Sequence, residues 1–102
     1  MSLPLEFKSL KDIQLLDQQQ IDFYRTAKSE PIAHIYRGMG TYWVICRSLQ
    51  NSAKFNFSIL GGPNPFHCDE NHRDHVKNNI EPNLSAAECA KALECEMLNF
   101  FK

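Results

Sequence analysis

Apolar positions recur with two different periods along this chain, and the change of period divides it into elements. Between residues 9 and 27, Ile13, Leu16, Phe23, Tyr24 and Ala27 return near helical spacing, behind a Ser9 and Asp12 pair spaced like a capping box. The run Asp17-Gln18-Gln19-Gln20 interrupts that stripe. It is either a polar face or the point at which Asp17 caps a second helix after a short first turn. Pro31 closes the helical region, because a residue before proline is driven out of the helical conformation.

From residue 32 the period falls to two. Ile32 to Arg37 and Thr41 to Arg47 are rich in β-branched and aromatic side chains, and Gly38-Met39-Gly40 between them gives the backbone freedom of a tight hairpin. A three-residue loop there pairs Arg37 with Thr41 and Tyr36 with Tyr42. One face then carries Ala33, Ile35, Trp43 and Ile45, and the other Ile32, His34, Tyr36, Tyr42, Val44 and Cys46. Phe55 to Leu60 alternates as a third strand, with Phe55, Phe57 and Ile59 on one side. Gly61-Gly62-Pro63-Asn64-Pro65 stops it.

Residues 66–83 read as a long polar connection, in which Asn71 and Asp74 are placed to cap a short helical turn through Val76 to Ile80. Ser85-Ala86-Ala87-Glu88 is a capping box that opens a final helix. Cys89, Leu93, Met97 and Phe100 form its apolar stripe, flanked by Ala86, Ala90 and Phe101. Glu88, Lys91, Glu94 and Asn99 stand opposite. These elements predict a single α+β domain over residues 1–102, a two-layer sandwich in the order α-β-β-β-(loop)-α. Its three-stranded antiparallel sheet would carry the N- and C-terminal helices on one face.

Composition narrows the function classes. The 102 residues are 43% hydrophobic and 23% charged, a mixture that folds rather than one that stays disordered. Eleven Lys and Arg against twelve Asp and Glu leave a formal charge of −1, with the basic residues scattered, which argues against nucleic acid as a partner. No apolar run approaches the roughly 20 residues that span a bilayer, so no membrane role is expected. The opening Met-Ser-Leu-Pro-Leu-Glu-Phe-Lys lacks the pattern of a secretion signal, so a cytoplasmic chain is expected. In that compartment Cys46, Cys68, Cys89 and Cys95 are thiols, Cys46 and Cys89 in the core and Cys68 and Cys95 outside it.

Two features carry candidate chemistry. The hairpin is apolar or aromatic on both faces, although a half-solvated sheet alternates apolar with polar. With both helices on one face, the other needs the long loop, a second copy or a protein partner to cover it. His34, Tyr36, Tyr42 and Val44 are the expected interaction surface. The second feature is Phe66-His67-Cys68-Asp69-Glu70-Asn71-His72-Arg73-Asp74-His75. Cys68, His72 and His75 would share one face of a helical turn, donors of the kind Zn²⁺ takes, with Cys89 or His67 as a fourth ligand.

Catalytic signals are weaker. His67 and Cys68 are neighbours in sequence, and adjacent residues seldom point at one another; Glu94 and Glu96 fall on an expected solvated helix surface, and Pro63 and Pro65 remove the amides a phosphate loop would use. The expected function is therefore a small non-catalytic protein-interaction module, of accessory, inhibitor or subunit type, docking through the aromatic sheet face and the 61–84 loop with no cofactor. The alternative is a metal-binding protein using the 67–75 segment.

Overall fold

A computed structural model describes residues 3–37, 40–61, 68–79 and 81–100. The elements run α1 (Leu5–Lys8), β1 (Ile13–Leu15), α2 (Gln18–Tyr24), β2 (Ser29–Tyr36), β3 (Thr41–Ser48), β4 (Phe55–Gly61), α3 (Glu70–Asn79) and α4 (Ala86–Phe100). The strands form one antiparallel sheet in the order β1-β2-β3-β4. The α+β class is as expected. The sheet has four strands rather than three, and helices pack on both of its faces rather than one.

The hairpin register follows the sequence reading: Tyr36 pairs with Tyr42, Ile35 with Trp43 and Ala33 with Ile45. The Arg37 N–H donates to the Thr41 carbonyl at 3.3 Å. Gly40 holds φ at 70°, a conformation that glycine adopts without steric cost, while Gly38 and Met39 lie outside the described residues. Phe55, Phe57 and Ile59 sit opposite Arg47, Ile45 and Trp43, and so share one face as expected. Ile32 does not follow the alternation. A bulge between Pro31 and Ala33 adds a residue to β2 and turns Ile32 toward the opposite layer.

Two cores result. In the first, Phe7 and Leu10 from the α1 region and Cys89, Ala90, Leu93 and Met97 from α4 pack on Ala33, Ile35, Trp43, Ile45 and Phe55. In the second, Leu16, Tyr24 of α2 and Val76 of α3 pack on Tyr42, Val44, Cys46 and Leu60, with Ile21, Phe23 and Tyr36 at the margin. A sheet apolar on both sides is stable only if both sides are removed from water. This chain does so internally, with helices from segments read as a polar interruption and a loop.

The helix ends explain why. Ser9 is the C-cap of α1, not an N-cap, and Asp12 takes φ 65°, which breaks any helix continuing through it. The chain then enters β1, whose Ile13 pairs with Ile35. Asp17 restarts the helix: its Oδ1 accepts from the Gln20 N–H at 2.8 Å, and Gln20 Oε1 accepts from the Asp17 N–H at 3.0 Å. Asp69, rather than Asn71, opens α3 by accepting from the Asn71 and His72 N–H groups at 2.8 and 3.2 Å. The Ser85 and Glu88 box of α4 forms as expected. Hydrogen bonds from Ser85 hold the Glu88 carboxyl below its ordinary value. Among the described residues no helix is long and apolar enough to cross a membrane.

Candidate functional site

The aromatic ladder on the second sheet face is present. Tyr36 and Tyr42 ring centroids lie 4.9 Å apart, and His34 lies 5.9 Å from Tyr42. Its setting differs from that of a docking surface. Tyr42 and Val44 are fully buried beneath the α2–α3 layer, while His34 and Tyr36 are half-buried. Burial pushes the Tyr42 hydroxyl up and the His34 imidazole down, both toward the neutral form. Tyr42 and Val44 are core positions of the folded chain. The ladder is covered because α3 occupies the segment expected to be a loop.

In the His-rich segment, the described residues are Cys68, His72 and His75; His67 is not among them. Cys68 precedes α3 and turns its Sγ toward the Gln19 carbonyl of α2 at 4.0 Å. His72 hydrogen bonds through Nε2 to the Gly61 carbonyl at the end of β4, and lines a small cavity with His75, Ile59 and Leu60. Cys68 thus contacts α2 while His72 contacts the sheet, and among the described residues no group of three His, Cys, Asp or Glu converges enough to hold a metal. Cys89 is excluded as a fourth ligand, since it lies in the α4 layer on the far side of the sheet. Burial, and then the Asp17 carboxylate, push the Cys68 thiol up, away from the thiolate that a ligand or nucleophile needs. His72 and His75 share a wall; Cys68 does not join them there.

A third place carries surface that sequence reasoning passed over. The outer flank of α4 exposes Leu98 at 65%, beside an open groove of about 540 Å³ lined by Arg37, Glu94, Met97 and Leu98, while Phe100, 43% exposed, lies on another side of the helix. Phe100 meets the Trp43 indole edge-to-face at 5.3 Å, which fixes its ring against the core while leaving one side outside. Arg37 is oriented from both sides: its Nη1 donates to Asp12 Oδ2 at 3.0 Å, and its Nη2 lies 3.8 Å from Met97 Sδ. The signal for this place was in the sequence. Leu98 follows Lys91 and Glu94 on the polar side of the helix, where the pattern calls for a polar residue.

With this geometry in hand, comparison with known proteins gives no match to a family model, to a curated protein or to a solved structure.

Proposed function

We propose that this protein is a small non-catalytic interaction module that associates through the outer flank of α4, with a second copy of the same chain as the occupant. The observation that supports this reading is the exposed Leu98 in a groove carrying both signs of charge, Arg37 and Glu94. A two-fold axis near Leu98 sets Leu98 against Leu98, and lets Arg37 and Glu94 of one copy face Glu94 and Arg37 of the other. Such a patch is complementary to itself. The sheet face is less favourable, because Tyr42 and Val44 are already enclosed. Cysteine nucleophiles are disfavoured, since burial pushes the Cys46, Cys68 and Cys89 thiols up.

Native mass spectrometry and light scattering across a concentration series test the proposal. A metal-free dimer is expected, and Leu98→Glu should convert it to a monomer with an unchanged circular dichroism spectrum, since Leu98 is mostly exposed. A wild-type monomer at every concentration rejects the second copy as occupant. A stoichiometric metal that His72→Ala removes would favour the metal-binding alternative at the 67–75 segment.

A further inference from the structure

The two layers do not meet everywhere at the edge of the sheet. β1 pairs with Ala33 to Ile35 and the Leu16 N–H still donates to the Ile32 carbonyl at 3.0 Å, so the Ser29–Pro31 start of β2 extends past its neighbour. Where β1 stops, a cavity of about 390 Å³ opens between the layers, lined by Leu15, Leu16, Gln18, Ile21, Arg25, Glu30 and Ile32. Ile32 belongs to the first core and Leu16 to the second, so both layers supply its apolar wall. The bulge that displaces Ile32 is what brings its side chain into this wall. The volume falls in the range of small-molecule sites, about 300–1,000 Å³. Leu15 stands at the lip with 56% of its surface exposed, an apolar side chain left in water.

The charges in the cleft are unequal in their commitments. Glu30 is buried, its side chain 5% exposed, and its Oε1 accepts from Arg47 Nη2 at 2.7 Å. That pair neutralises the floor. Arg25, at the C-cap of α2, is half-exposed and forms a looser ion pair with Glu30 Oε2 at 3.8 Å, beyond hydrogen-bond length. Asp22 holds the Gln18 amide at 2.8 Å and does not line the cavity. Glu30 is therefore shared by two guanidiniums, the nearer of Arg47 and the looser of Arg25, and the three side chains carry a net charge of +1. A planar guanidinium fork suits a carboxylate, and the leucine and isoleucine walls suit a compact apolar body.

We infer that this cleft binds a small organic monocarboxylate, its carboxylate on Arg25 and its hydrocarbon part against Leu15, Leu16, Ile21 and Ile32. The site is independent of the α4 flank. Titration of ¹⁵N-labelled protein with sodium octanoate, followed by amide correlation spectra, tests it, with octylammonium as the charge-reversed control. Saturable shifts centred on residues 15–32 are expected with octanoate, weakening as salt is raised. Arg25→Gln should weaken binding at least about tenfold, and Arg25→Lys, which keeps the charge but loses the fork, by less. Leu98→Glu should leave it unchanged, which separates this site from the proposed association surface. Absence of saturable shifts, equal binding of octylammonium, or an Arg25→Gln variant that folds and binds as well as wild type would each overturn the assignment.

Discussion

Tyr36 and Tyr42 stack on the same sheet face, yet they belong to different parts of the molecule. Tyr42 is completely enclosed by the α2–α3 layer, whereas Tyr36, at the end of β2, is half-buried at the margin of that core. Truncating an enclosed aromatic removes its burial and leaves a cavity that the surroundings fill only in part. Tyr42→Ser should therefore cost about 3–5 kcal/mol, and Tyr36→Ser distinctly less. Urea unfolding of the two variants measures the difference. Equal, small losses would mean that Tyr42 is held at an accessible surface. The identity of the ladder and the sharing of its face were legible from alternation alone, because side-chain direction in a strand has a strict period of two. Burial was not legible, since it depends on what a distant segment does. Ile32 departs from strict alternation because Pro31, which has no N–H for the ladder, sits at the bulge; the proline was the one signal for it, and it serves equally well as a helix stop.

Helix ends were legible where a side chain could name them. Ser85 and Glu88 form the box that their spacing foretells, and the Ser85 hydroxyl accepts from the Glu88 N–H at 3.2 Å. Ser85→Ala should thus destabilise the protein by about 1 kcal/mol, while Ser85→Asp, which keeps an acceptor, should restore most of it. Thermal unfolding reads both; an alanine variant as stable as wild type would show that α4 is held by packing alone. The same spacing misled at Ser9 and Asp12. There Asp12 takes the left-handed conformation, and its carboxylate goes to Arg37 at 3.0 Å instead of to a helix. A three-residue strand such as β1 is too short for its own period to be seen, and Ile13 and Leu16 match helical spacing by coincidence. The His-rich segment was legible as composition and not as a site: Cys68, just before α3, turns toward α2, while α3 directs His72 toward β4. The α4 flank was legible in principle, from a leucine on a polar face.

On the scale of the whole molecule, the two layers are unequal in what holds them to the sheet. The α4 layer buries Cys89, Ala90, Leu93 and Met97 from one long helix. Across the sheet, α3 is ten residues long, but Val76 is the one fully buried side chain among residues 70–78. Its attachments also include the His72 bond to Gly61, and Arg73 lying 4.8 Å over the Phe23 ring. Few buried contacts mean a small free energy for local opening. By contrast β3 has a paired strand on each side, and Tyr42 to Cys46 are wholly enclosed. Hydrogen exchange should therefore find α3 amides exchanging at least about a hundredfold faster than those of β3, a difference of about 2.7 kcal/mol in opening free energy. Val76→Ala should widen that gap, because it weakens the one apolar anchor. If α3 and β3 instead exchange together, the second layer is part of the global cooperative unit and Tyr42 is uncovered only by unfolding. If α3 opens alone, the face of Tyr42 and Leu60 becomes intermittently accessible while the sheet and the α4 layer stay folded. The aromatic ladder would then serve as core when α3 is docked and as exposed surface when it is open.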